Sequence, residues 1–183
     1  TGGTGFVGGA AIDQALAAGH SVRALARKSQ RAREGVTWVE GSLADAESLN
    51  RLCDGADVVL HIAGVVNAPD RAGFVAGNIT GTENMVAAAQ AAGITRFIHV
   101  SSLAARERAL SNYCWSKAEA EDRVTASGLD WIMVRPPAVY GPGDTEMLDL
   151  FRMAAKGVVM LPPSGRMSVI HVADLAALLV RLA

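Results

Sequence analysis

Thr1-Gly-Gly-Thr-Gly-Phe-Val-Gly8 decides the fold class of this chain. Gly3, Gly5 and Gly8 fit G-x-G-x-x-G, while Gly2, Gly5 and Gly8 fit G-x-x-G-x-x-G. Either way, glycine lets the backbone turn sharply and approach a pyrophosphate, and the next helix offers its first N–H groups to the anion. Phe6 to Ala18 is small and apolar, suits that helix, and stops at Gly19. Such a turn should follow a strand, and no strand precedes Thr1. At the other end, Val172 to Ala183 is an apolar helical pattern without a stop signal. The chain therefore reads as cut at both ends. Loss of a central first strand predicts that these residues alone do not fold stably.

Working outward, strand and helix patterns alternate. Strands are expected at Ser21–Arg27, Val36–Val39, Asp57–Gly64, Arg96–Ser101 and Leu129–Arg135, the last stopped by Pro136-Pro137. Helices are expected at Asp45–Leu52, Thr82–Ala92 and Asn112–Ser127. Alternation of this kind implies an α/β, doubly wound parallel sheet with helices on both faces and strand order 3-2-1-4-5-6. We divide the chain into a dinucleotide-binding domain, 1–143, and the start of a substrate-binding part, 144–183, where a less regular tail begins.

Composition sets the outer limits. The 183 residues suffice for one domain, and 50% of them are hydrophobic, which excludes a disordered chain. Seventeen Lys and Arg against 18 Asp and Glu leave no field for a polyanion. The basic residues Arg23, Arg27, Lys28, Arg31 and Arg33 are the sole RNA-binding candidates, and no nucleic-acid partner is expected. No apolar run is long enough to cross a membrane. Cys53 and Cys114 lie far apart, read as free thiols and favour a cytoplasmic location; no cluster has metal-ligand spacing.

The second strand ends Leu25-Ala-Arg-Lys-Ser29, with no acid until Glu34. A ribose 2′-hydroxyl is normally held by a carboxylate here, whereas Arg27 and Lys28 suit a 2′-phosphate. NADP is thus favoured over NAD. The alternative is a solvated basic stretch.

Tyr113 and Lys117 stand four residues apart, on one face of a helix. A cation near a phenol favours the phenolate and fits the phenol for proton transfer to an alcohol or carbonyl. Ser102, at a strand end, is suited to hydrogen-bond the same oxygen. A Tyr and a Lys at this spacing are also an ordinary amphipathic pair, and only the order glycine turn, serine, Tyr, Lys makes the pattern specific.

In that order the chain resembles the extended or atypical branch of the short-chain dehydrogenase/reductase superfamily, the NAD(P)-dependent epimerase/dehydratase group. The matching segments are Thr1–Gly8, His61-Ile-Ala-Gly64, Asn78-Ile-Thr-Gly-Thr82, Val100-Ser-Ser102, Tyr113-x-x-Ser-Lys117, Arg135–Gly143 and Ile170–Leu175. The resemblance implies Tyr113 as acid/base, Lys117 also on the nicotinamide ribose, Ser102 polarising the substrate oxygen, and Asn78 supporting the active-site helix or a proton relay. It implies cofactor contacts at Gly2, Gly5, Phe6, Val7, Gly8, Ser42, Leu43, Ala63, Pro136 and Val139, besides Arg27 and Lys28. It also suggests homodimers through helices. Two departures matter. Gly41-Ser-Leu43 stands where relatives carry Gly-Asp-Leu, and Leu103-Ala104 follow Ser102 where dehydratases carry an acidic pair.

The expectation is an oxidoreductase moving a hydride between NADP and a carbonyl or secondary alcohol. The alternatives are an NAD-dependent nucleotide-sugar epimerase and a non-catalytic nucleotide-binding accessory or sensor. His61 is expected to support the cofactor turn, His99 to be structural, and His171 to sit near the pocket or at a loop-to-helix hinge. The methionines read as core filler, and Trp115 as a residue bordering substrate.

Overall fold

A computed structural model describes residues 1–158 and 165–183; Met160 is the one singled-out residue outside them. The first helix, α1 (Phe6–Ala17), starts at Gly5, which has no side chain to occupy the first N–H groups. Strands β1 (Val22–Ala26) and β2 (Val36–Glu40) follow and pair in parallel. Asp45 then caps α2 (Ala46–Cys53), its carboxylate accepting from the N–H groups of Glu47 and Ser48.

The second ladder is the parallel set β3 (Val58–His61), β4 (Arg96–Val100) and β5 (Asp130–Val134), with β4 in the middle. A third pairs β6 (Ala138–Tyr140) with β7 (Val169–His171). Along β4, Phe97 joins Leu25, Val39, Leu49 and Val124 in one core, while Ile98 and Val100 join Val134, Leu175 and Leu179 in another. A strand buried on both faces is what an unbroken apolar run encodes. The first core lies under α2, α4 (Gly81–Ala91) and α5 (Asn112–Thr125), and the second under α1 and α7 (Val172–Leu182), which pack on each other. This is the expected doubly wound, Rossmann-type arrangement. Although α7 comes from 144–183, it covers the same sheet as α1.

β1 and β3 do not pair. The Thr1 amino group donates to the Leu60 carbonyl at 2.8 Å, and the Thr1 carbonyl accepts from Ile62 N–H at 3.4 Å. The rest of the gap is a cavity of ≈390 Å³ lined by Ala24, Val58 and Leu60 among others. Trp38, on β2, has a buried indole N–H with no partner among the described residues.

Two regions differ from the sequence expectation. The helix expected at Thr82 is preceded by α3 (Arg71–Phe74) and a π-helical stretch, Val75–Thr80. Asp70 caps its start by accepting from Gly73 N–H at 2.9 Å. Gly73, Gly77 and Gly81 mask the helix in sequence because glycine is a poor helix former. Tertiary packing demands them: a Cβ on Gly77 would overlap the Val65 side chain, and one on Gly81 would lie 2.8 Å from Leu43. The tail is also more regular than expected: besides α7, which matches the apolar helical pattern from Val172, it holds β7 and α6 (Leu148–Ala155), which buries none of its residues.

Candidate active site

Ser111 starts α5, its hydroxyl accepting from Cys114 N–H at 3.1 Å. Tyr113 and Lys117 follow one turn apart. Tyr113 is half-buried, with Phe74 packed beside it, whereas Lys117 is only 4% exposed. Lys117 Nζ donates to the Val100 carbonyl at 3.0 Å, tying α5 to the end of β4. Burial lowers its pKa from 10.5 to about 8, with the Glu121 carboxylate one turn on opposing the shift. At neutral pH the ammonium persists.

Asn78 lies inside the π-helical stretch, where widened turns often mark functional positions. Its side-chain oxygen accepts from Val65 N–H at 2.6 Å, and its amide donates to the Val65 carbonyl and to Ser116 Oγ, both at 2.9 Å. Ser116 in turn donates to the Tyr113 carbonyl at 2.8 Å. Gly64 lies beside both groups, since a Cβ there would meet Asn78 Oδ1 at 3.2 Å and Lys117 Nζ at 3.6 Å. Asn78 thus links the loop after β3 to the helix of Tyr113 and Lys117.

Ser102 follows β4 and accepts from Ala104 N–H at 3.2 Å, which leaves its own proton to donate. Ser102 and Tyr113 share a cavity of ≈480 Å³ walled by Leu103, Ala104, Pro136, Pro137 and Met167, with Arg166 exposed beside them. The Pro136 carbonyl accepts from Leu103 N–H at 2.9 Å, joining two of these walls.

The glycine turn stands at the C-terminal end of β3. Gly2 has φ +79° and packs on Ala63, where a Cβ would lie 2.8 Å from the amide nitrogen. A Cβ on Gly8 would overlap the Gly2 carbonyl. Gly5, by contrast, meets only that carbonyl, at 3.3 Å, and is exposed. The mouth of the turn is therefore open in front of the uncapped first turn of α1, which fits the pyrophosphate of a dinucleotide. Phe6 and Val7 open that helix, and Val7 packs on the second core.

Arg27 and Lys28 are exposed directly after β1, and among the described residues neither is in an ion pair. Ser42 is half-buried and accepts from Ala44 N–H at 3.3 Å; the Leu43 carbonyl accepts from Asn84 at 2.7 Å. Val139 sits in β6 opposite Ile170. Tyr113, Lys117, Ser102 and Asn78 thus gather around the C-terminal ends of β3 and β4, and the glycine turn, Ala63 and Pro136 border the same end of the sheet.

The histidines sort by partner. His61 is fully buried, and its ring nitrogens meet Thr1 Oγ1 at 2.8 Å and Thr82 Oγ1 at 3.1 Å, bracing the glycine turn. Burial holds it well below its usual pKa and hence neutral. His171 caps α7, its Nδ1 accepting from Ala173 N–H at 3.2 Å. Trp115 lies under the Arg71 guanidinium at 3.6 Å. Sequence reading missed the pair formed by Glu121, 6% exposed, and Arg135, which donates to it through two nitrogens. The four-residue step from Lys117 to Glu121 was a visible signal, but its arginine lies 14 residues further on.

The model of the NAD(P)H-binding family matches residues 2–183, and the chain belongs to that family. It is similar to a ceramide reductase of Caulobacter vibrioides, 45% identical over 98% of this chain and 58% of the relative. A 3 beta-hydroxysteroid dehydrogenase/Delta 5→4-isomerase of Mycobacterium tuberculosis is 30% identical over 87% of this chain and 51% of its own length. This chain thus spans between half and three fifths of these relatives. Among solved structures, the Bordetella bronchiseptica enzyme WbmH in complex with NAD+ superposes with a TM-score of 0.86 at 25% identity, covering 99% of this chain and 70% of that one.

Proposed function

We propose that the protein carrying this chain is an NADP-dependent reductase of a ketone, or a dehydrogenase of the matching secondary alcohol, acting through Ser102, Tyr113 and Lys117. One observation carries the reading: Tyr113 and Ser102 open into one cavity while Lys117 is held, buried, one turn behind Tyr113. Tyr113 donates the proton to the substrate carbonyl oxygen, and Ser102 holds that oxygen with its free hydroxyl proton. The Lys117 ammonium lowers the cost of the phenolate that Tyr113 leaves behind. A bound nicotinamide cofactor supplies or accepts the hydride. The turn from Gly2 to Gly8, with Phe6 and Val7, would hold its pyrophosphate, and Ser42, Leu43 and Ala63 would border its adenosine half. Lys117, Pro136 and Val139 would border the nicotinamide half.

Arg27 and Lys28 favour NADP because two unpaired cations stand at the end of β1, where a 2′-phosphate is expected. The apolar walls of the shared cavity, and similarity to a ceramide reductase, favour a ketone on a hydrocarbon frame over a sugar nucleotide. Buried free thiols at Cys53 and Cys114 favour a cytoplasmic setting. Among the described residues, no helix is long and apolar enough to cross a membrane.

The test is a titration with NADPH and NADH, read by nicotinamide fluorescence, beside Arg27→Ala and Tyr113→Phe. The reading expects tighter NADPH binding, weakened about tenfold or more by R27A, and a Y113F protein that keeps its cofactor affinity but loses turnover. A preference for NADH unaffected by R27A would move the assignment toward an NAD-dependent epimerase. Binding without any turnover in the parent would leave a nucleotide-binding module.

A further inference from the structure

His99 is fully buried, yet neither ring nitrogen has a protein partner among the described residues, and the same is true of Ser101 Oγ. Unpaired buried polar groups of this kind cost on the order of 1–3 kcal/mol each, so native proteins seldom keep them. Alternation along β4 puts Phe97, His99 and Ser101 on the face covered by α4 and α5. His61, stacked on His99 with ring centroids 5.3 Å apart, has both nitrogens engaged and relieves neither group.

Lys117 reaches the same place from above. Its Nζ meets the carbonyl of Val100, the residue between His99 and Ser101, and that bond uses one of three N–H groups. Alternate residues on a strand face are about 6.6 Å apart, close to the ~5.6 Å that one water spans between two partners. We propose that His99 and Ser101 hold an ordered water against Lys117, making His99 a positioning residue for the Lys117 ammonium. The water accepts from the His99 ring N–H and from Lys117, and donates to Ser101 Oγ, the three bonds typical of a buried water. The inference rests on Lys117 serving Tyr113 as set out above.

The charged and titratable groups near this water come from α5, from β3 and from the loop after β5. On α5, Tyr113 and Glu121 stand one turn to either side of Lys117, and Arg135, after β5, pairs with Glu121. His61 lies beside it on β3, stacked on His99, with the Thr1 hydroxyl on its far ring nitrogen. Burial keeps both histidines neutral. The water therefore favours the ammonium form of Lys117, and its loss makes that proton easier to remove.

The experiment compares His99→Leu, which removes both ring nitrogens, with His99→Gln, which restores a donor. In H99L the alkaline limb of ketone reduction is expected one pH unit lower, so turnover on that limb falls about tenfold at unchanged cofactor KM. H99Q is expected to return the limb toward that of the parent. A purely structural His99 would lower the thermal midpoint in both variants and leave the limb in place, which overturns the proposal. Nitrogen-15 NMR of the histidines in cofactor-free protein gives a readout independent of turnover and of variant folding. A slowly exchanging His99 ring N–H with cross-relaxation to water, not titrating between about pH 5 and 8, supports the site. A ring N–H without a water contact overturns it, whatever substrate the enzyme takes.

Discussion

Lys117 Nζ donates to the backbone carbonyl of Val100 at 3.0 Å, so the cation beside Tyr113 is fixed by a strand end rather than by a carboxylate. A carbonyl orients the ammonium without neutralising it. The charge is therefore kept in a place where burial makes it expensive.

That expense predicts a trade-off between stability and activity. The Lys117 pKa falls from 10.5 to about 8 on folding, so below pH 8 the native state carries a buried ammonium at a cost of order 3 kcal/mol. The sign follows from proton binding: between pH 8 and 10.5 the unfolded chain holds more protons, so stability rises with pH there. Lys117→Met in the protein carrying this chain should abolish turnover and be at least as stable as the parent at pH 7. The difference between them should narrow as pH climbs toward 10, as read by urea denaturation. A variant much less stable than the parent at pH 7 would show that the Val100 bond outweighs the burial cost.

The glycines of the turn are not equivalent. Gly8→Ala forces a methyl group into the Gly2 carbonyl, so it should cost several kcal/mol and abolish NADPH binding. Gly19→Ala meets nothing within 4 Å, but φ is +84° there, so its cost should be about 1 kcal/mol with cofactor affinity intact. Paired melting curves and cofactor titrations separate the two.

Glu121 and Arg135 form an asymmetric ion pair, with side chains 7% and 45% exposed. Removing the exposed partner should do more harm, because it strands the buried carboxylate. Arg135→Ala is expected to cost about 3 kcal/mol and Glu121→Ala less, since the freed guanidinium can turn to water. Equal losses in both variants would contradict this account.

Asn78 makes three side-chain hydrogen bonds that join the loop at Val65 to α5 at Ser116. At about 1 kcal/mol each, Asn78→Ala should cost roughly 3 kcal/mol and lower kcat more than it raises the KM for cofactor. Unchanged kcat in a stable variant would remove Asn78 from the machinery around Tyr113.

Among the described residues, the facing edges of β1 and β3 do not pair with each other, and Thr1 bonds to β3 at one end of the cavity between them. Backbone groups along such edges have no ladder partner, and the cavity between them is mostly apolar-walled. The polypeptide of these 183 residues alone is expected to melt without a cooperative transition. A sharp thermal transition with a well-dispersed NMR spectrum would contradict that.

Much of the architecture was legible because local rules write it. Alternating or apolar stretches of four to eight residues gave β1 to β5 their positions within one residue, except at the end of β3, expected at Gly64 and found at His61. Asp45 announced one helix start, whereas the Ser111 cap of α5 emerged only in the structure, and the four-residue step put Tyr113 and Lys117 on one face. The helical path from Arg71 to Thr80 was not legible, because its glycines are set by contact with Val65 and Leu43 rather than by helix preference. Nor were the partners that tune the site. Val100 lies 17 residues from Lys117, Ser116 lies 38 from Asn78, and Thr1 lies 60 from His61.

The amino-acid sequence by itself determined the alternation of β1 to β5 with α1, α2, α4 and α5, the glycine turn, and which side chains share a helix face. These depend on periodicities of two and 3.6 residues and on the steric freedom of glycine, all of which act between near neighbours. Only the tertiary structure decided that Lys117 is buried against a carbonyl, that Asn78 bridges a loop to α5, and that His99 is buried with neither ring nitrogen partnered among the described residues. Those outcomes arise when packed layers bring distant segments within hydrogen-bonding distance and exclude water from the groups between them.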